Sequence, residues 1–134
     1  MPDVNLFFDT NIVLYALSKD LQRKQQVAEL LNDGCTLSTQ VLAESANVMR
    51  RKFGCGMAEI ESFHDALLDA CRLQRIESAT VRRALQVAGR YGFSIYDSLI
   101  VATAIDAGCD TLYSEDMQHG QLIDNRLTVI NPFR

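Results

Sequence analysis

Apolar positions along this chain follow two rhythms, and the switches between them outline the elements. Val4 to Phe8 is a short apolar run of strand length, followed by helical spacing over residues 11 to 18 and about 20 to 32, the latter ending at the turn Asn32-Asp33-Gly34. Cys35 to Ser38 reads as a second short strand. It feeds a helix over Thr39 to Phe53 that stops at Gly54. Met57 to Cys71 has helical spacing, "LQRIES" (73 to 78) is strand-like, and Thr80 to Tyr91 is a helix with Gly92 just past its end. "SIYDSLIVATAIDAG" opens with a Ser-x-x-acid pattern and closes on Gly108, which marks a helix at both ends. "DTLYS" and "LTVI" are the last strands. Strand and helix in alternation predict an α/β fold with a mostly parallel central sheet of four to five short strands and helices on both faces.

Composition narrows this to one soluble globular unit. The 134 residues are 48% apolar and 22% charged, which permits a real core and excludes disorder and fibre. Both prolines lie near the ends, at 2 and 132, and no linker or repeat divides residues 1–134, so a single domain is expected. The longest apolar stretch, Leu99 to Ile105, is too short for a bilayer, and no secretory signal follows Met1, so a cytoplasmic protein without membrane contact is expected. Cys35, Cys55, Cys71 and Cys109 show no zinc spacing, and with only His64 and His119 to join them they read as free, mostly buried thiols.

Four acids occupy positions where acids are awkward. Asp9 ends the first, almost wholly apolar strand, where a buried carboxylate costs several kcal/mol unless it caps a helix or meets a cation. Glu44 lies three residues from Val41 and four from Val48, within the face those two share. The alternative is a place at the edge of that face, paired with a surface arginine. Asp97 is either the acid of a capping box on Ser94 or a carboxylate on the face of Ile100, Val101 and Ala104. Asp116 follows an apolar strand, with Ser114 two residues before it, and a turn role explains it equally well. In a parallel α/β sheet, however, strand ends and helix starts converge, and ligands collect at the carboxyl ends of the strands. Several carboxylates at one point repel and hold protons until a cation arrives. An all-oxygen set suits Mg²⁺ or Mn²⁺ and not zinc, which is the material of a metal-dependent nuclease.

These residues, in this order, resemble the PIN-domain ribonucleases, in particular the VapC-like toxins of toxin–antitoxin modules. "FFDTNIVLYA", "STQVLAESANV", "YGFSIYDSLIVATAIDAGCDTLYSEDMQHGQ" and "LTVINPF" carry the resemblance from end to end. It implies that Asp9, Glu44, Asp97 and Asp116 are the catalytic, metal-binding quartet, with Asn11 and Ser114 shaping the site. It further implies one or two Mg²⁺ or Mn²⁺ ions, endonucleolytic RNA cleavage by metal-activated water, a homodimer, and an antitoxin whose tail blocks the acids. Some relatives carry a further acid shortly after the last aspartate. Here Gln118 and His119 hold that place, and the next acid is Asp124.

The net charge of −4 speaks against a polyanionic partner only until the quartet is set aside, when 13 acids balance 13 Lys and Arg. Arg50, Arg51 and Lys52, and Arg82 and Arg83 followed by Arg90, are either solvated helix faces or, beside the pocket, contacts to RNA phosphates. Tyr15 and Tyr96 offer base-stacking surfaces, but their apolar neighbours favour core packing. His119 is either a general acid or an exposed bystander. A haloacid-dehalogenase-like phosphotransferase would need an aspartate where Asn11 stands, and a response-regulator receiver needs a late lysine the chain lacks. An idle PIN fold that only binds RNA or protein is the remaining rival, against which the retention of all four mutually repelling acids argues.

Overall fold

The computed structural model describes residues 6–134. Val4 and Asn5, the start of the first expected strand, lie outside the described residues. The elements are β1 (Leu6–Phe8), α1 (Thr10–Leu14) with a 3₁₀ turn (Tyr15–Leu17), α2 (Leu21–Asn32), β2 (Thr36–Ser38), α3 (Thr39–Phe53), α4 (Met57–Ala70), β3 (Arg72–Gln74), α5 (Ser78–Tyr91), α6 (Ile95–Asp106), β4 (Thr111–Tyr113), β5 (Leu122–Ile123) and β6 (Leu127–Ile130). One six-stranded sheet runs in the order β3-β2-β1-β4-β6-β5, every pairing parallel except β5 with β6.

Phe7 and Phe8 are both fully buried. Consecutive strand residues point to opposite faces, so both faces of β1 are covered, as a parallel sheet with helical crossovers requires. Ile12 and Val13 of α1, Leu37 of β2, Val41 of α3, and Leu112 and Val129 of β4 and β6 continue this core. Helix α6 is buried from Ser98 through Ile105 except for half-buried Leu99, and its ends reach solvent. Among the described residues no helix is long and apolar enough to cross a membrane.

The sheet has six strands where four to five were expected. The addition, β5, is two residues long and exists only as a hairpin arm on β6, across a turn in which Asp124 and Asn125 both take positive φ (51° and 56°). Two residues carry no readable periodicity, and left-handed Asp-Asn is the only local mark of the turn. The expected helix over 11 to 18 is split, with α1 giving way to the 3₁₀ turn. The strand expected over 73 to 78 is displaced to Arg72–Gln74, and α5 begins earlier, at Ser78, where Glu77 N–H donates to Thr80 Oγ1 (3.1 Å).

Two of the four expected free thiols are corrected. Cys35 and Cys71 form a disulfide, leaving Cys55 and Cys109 free. Thr36 pairs with Arg72 in the parallel β2–β3 ladder, which sets the preceding residues, Cys35 and Cys71, side by side with Cα atoms 4.5 Å apart. Their separation of 36 residues hides this from sequence spacing.

Candidate active site

The chain leaves β1, builds β2 and β3 on one side, and returns to place β4 on the other. The gap past the carboxyl ends of β1 and β4 is therefore a topological switch point. Asp9 follows β1 and Ser114 follows β4, held level by the bond from Asp9 N–H to the Tyr113 carbonyl (3.0 Å).

Asp9 is 6% exposed and fully engaged: Oδ1 accepts from Thr10 N–H (2.8 Å), capping α1, and Oδ2 accepts from the Ser114 hydroxyl (2.9 Å). Burial pushes its carboxyl from 3.8 up to about 6. The two hydrogen bonds hold it back, and the charges of Asp97 and Glu44 add to the rise. Asp9 thus caps α1 and also lines the cavity described below.

Glu44 is delivered by α3, whose start is capped by Ser38 Oγ accepting from Val41 N–H (3.2 Å). The Thr10 hydroxyl donates to Glu44 Oε1 (2.8 Å), and Gln40 Nε2 reaches the same oxygen (3.4 Å). Gln40 Nε2 also donates to the Tyr96 carbonyl (3.2 Å), tying α3 to the first turn of α6 beside Asp97. Asp97 N–H donates to Ser94 Oγ (3.1 Å), so the cap forms while the carboxylate lines the pocket. Asp116 is exposed, and Asn11 steers it, with Nδ2 donating to Asp116 Oδ2 (2.8 Å) while Asn11 Oδ1 accepts from Glu115 N–H (3.4 Å).

All four acids line one cavity of about 290 Å³, together with Thr10, Asn11 and Gln40. They ring it without closing on a point: among the described residues no three acid, histidine or cysteine side chains are gathered tightly enough to form a ready-made cage. Uncompensated carboxylates repel, and those of Asp9, Glu44 and Asp116 are tethered by neighbours instead. The donor set fits a hydrated hard cation, since Mg²⁺ keeps several waters and takes only one or two carboxylates directly. Gln40 Oε1 is buried without a hydrogen-bond partner among the described residues.

The other candidates fall outside the cavity lining, except Lys52. Arg50, Arg51 and Arg82 are exposed, and Arg83 pairs with Asp106 (2.9 Å). Arg90 and the Tyr91 hydroxyl hold Asp124 in the β5–β6 turn, so Asp124 serves that turn. His119 Nδ1 accepts from Asn131 N–H (2.9 Å). Tyr15 packs edge-on against Phe133, as expected, but Tyr96 is 68% exposed, because α6 buries its face only from Ser98 onward.

Sequence reasoning missed a brace under Ser114–Asp116. The Tyr15 hydroxyl donates to Glu115 (2.7 Å), Arg23 pairs with Glu115 (3.1 Å), and the Arg23 guanidinium stacks on Phe133 (4.6 Å). The partners stand 92 and 100 residues from Glu115, beyond any spacing rule. Arg23→Leu is expected to speed amide exchange several-fold at Ser114–Asp116, and Glu115→Gln in the double variant to reverse most of it. Unchanged exchange in Arg23→Leu would show that the brace bears no weight.

A family model described as the PIN domain matches residues 6–122. Among solved structures, the chain is similar to the VapC20 toxin of Mycobacterium tuberculosis, described as cleaving the sarcin–ricin loop (18% identity, 83% of this chain and 89% of that one, TM-score 0.67). It is also similar to a toxin–antitoxin complex from Klebsiella pneumoniae (19%, 95% and 97%, 0.69) and to VapBC2 of Rickettsia felis bound to promoter DNA (21%, 92% and 96%, 0.66). At these identities the likeness is one of fold. The comparison with curated protein sequences finds no match.

Proposed function

The chain belongs to the PIN-domain family, and from that premise we propose that it is a single-domain, Mg²⁺- or Mn²⁺-dependent endoribonuclease, the toxin of a toxin–antitoxin pair. One observation carries the reading: four acids from the end of β1, from α3, from α6 and from the end of β4 line one cavity at the switch point of the sheet.

Asp9, Glu44, Asp97 and Asp116 would hold one or two ions, directly or through water. When bound, such an ion supplies an activated water and neutralises charge developing on the leaving oxygen. The chain's own residues set the geometry. Ser114 and the Thr10 amide fix both oxygens of Asp9, Thr10 and Gln40 fix Glu44, and Asn11 fixes Asp116. Lys52, on the cavity wall, is placed to meet an RNA phosphate, and Arg50, Arg51, Arg82 and Arg83 would add more distant contacts.

Two of the similar structures are toxin–antitoxin assemblies, which supports an antitoxin segment that covers the acids. Exposed Val81 and Leu85, one turn apart on α5, with Ile95 and Tyr96 at the start of the adjoining α6, support a homodimer through that side. An RNA substrate supports a cytoplasmic location for the protein.

The test is cleavage of total RNA. Activity is expected with Mg²⁺ or Mn²⁺, with at least a 100-fold loss in EDTA that returns on adding the metal back. Full activity in EDTA would sink the metal assignment. Binding of RNA without cleavage under any metal would favour the idle binding module.

A further inference from the structure

The acidic cavity is one end of a longer groove. Asn11, Leu14, Val48 and Lys52 line both it and an adjoining cleft of about 470 Å³, which runs between the α1–3₁₀ segment and the C-terminal half of α3. Beyond, Leu17, Lys19, Lys52, Phe53 and Cys55 line a further cleft of about 440 Å³. The groove is therefore continuous from carboxylates, across an apolar floor of Leu14 and Val48, to a cationic end.

Its charge is ordered. The chain has three lysines, and two of them, Lys19 and Lys52, stand in this groove. Among the described residues neither has an ion pair, and the carboxylate of Glu115 at the groove wall is already held by Arg23 and Tyr15. Phe53 ends α3 and is 55% exposed, just before Gly54 turns the chain in the left-handed conformation (φ 64°). Glu44, Val48 and Lys52 are spaced four apart on one helix face, so the acid and the lysine are separated by about 12 Å along the axis. A single phosphate cannot meet both. A polymer carrying anions at intervals with flat apolar groups between them can.

Building on the nuclease reading, we propose that this groove is the subsite for RNA nucleotides flanking the scissile phosphate, with a base against Phe53 and Leu17 and a backbone phosphate on Lys52 and Lys19. An acidic peptide would match the lysines but be repelled at the carboxylate end. A nucleic acid crosses that end with its phosphate bridged to the acids by the cation, and its bases suit the apolar floor.

The experiment is fluorescence-anisotropy binding of a labelled mixed-sequence single-stranded RNA oligomer in Ca²⁺, a hard cation able to bridge phosphate to the acids, with gel analysis confirming that the oligomer stays intact. Lys52→Ala is expected to weaken binding about 5- to 10-fold and to reduce the slope of log K against log salt by about 0.7, with Lys52→Arg restoring both. Phe53→Ala is expected to weaken binding on the order of 5- to 100-fold, yet to leave the affinity for an oligomer of abasic RNA unchanged. Wild-type affinity and slope in Lys52→Ala and Phe53→Ala, with cleavage still lost in Glu44→Gln, would overturn the subsite and leave the groove to a protein partner while the nuclease stands. Unchanged cleavage in Glu44→Gln would overturn the assignment of cleavage to the acidic cavity, on which the nuclease reading rests. The RNA-binding result then still decides the groove.

Discussion

Asp9→Asn is expected to lower RNA cleavage by a factor on the order of 10³ while making the metal-free protein more stable above pH 7. The two effects share one cause. Removing a charged ligand forfeits several kcal/mol of metal-assisted stabilisation, and each 1.36 kcal/mol is tenfold in rate. Without metal, the same carboxylate is a burden. Its pKa is raised from 3.8 to about 6 by burial, so the folded state holds the proton more tightly than the unfolded chain does. The sign follows from that difference. The contribution favours folding below about pH 4 and is lost as pH climbs through 6, a swing of at most about 3 kcal/mol. Asparagine keeps the shape without the charge: its Oδ1 can still cap Thr10 N–H while its Nδ2 donates to the Ser114 hydroxyl, which can accept as well as donate. In EDTA at pH 8 the melting temperature of Asp9→Asn should therefore exceed that of wild type by about 3–8 °C, the two converging near pH 4. Saturating Mg²⁺ should stabilise wild type and not the variant. Equal cleavage by variant and wild type would remove Asp9 from the mechanism; a lower melting point for the variant in EDTA at pH 8 would remove the burial argument.

Leu112→Ala carries the largest expected stability loss, about 2–5 kcal/mol, or at least 6 °C in melting temperature. Leu112 is fully buried at the middle of β4, in register with Phe7 of β1 and Val129 of β6. Its neighbours are held by strand pairing on both sides and cannot collapse into the cavity. β4 also delivers Ser114 to Asp9, so the loss should reach the site as weaker Mn²⁺ binding. The conservative Leu112→Met should keep most of both, because it preserves volume. A Leu112→Ala protein melting within 2 °C of wild type would show that β4 is not the centre of the core.

How far each part of the site could be read depended on how local its cause was. Asp9, Asn11, Ser114 and Asp116 stood out because polar residues directly after apolar strands are conspicuous, and the family resemblance set their order. Gln40 and Arg23 gave no such sign. Gln40 looked like one more polar residue on α3, and its bond to the Tyr96 carbonyl depends on where α6 starts in space. Asp9 caps α1, which leaves the Thr10 hydroxyl for Glu44, 34 residues away, a bond no local pattern marks. The Cys35–Cys71 bond was hidden for the same reason, since a parallel ladder joins residues whose separation along the chain has no set value.

The amino-acid sequence by itself determined the alternation of strands and helices, the caps and glycine stops, and the four acids set beside apolar segments. Those follow from side-chain period and burial cost, which are properties of short segments. Only the tertiary structure decided that β1 and β4 lie side by side, that the acids ring a cavity without closing on it, and that Lys19, Lys52 and Phe53 extend it into a groove. Strand order, the approach of α3 to α1, and carboxylate repulsion are set by the packing of the whole sheet, and no local segment contains them.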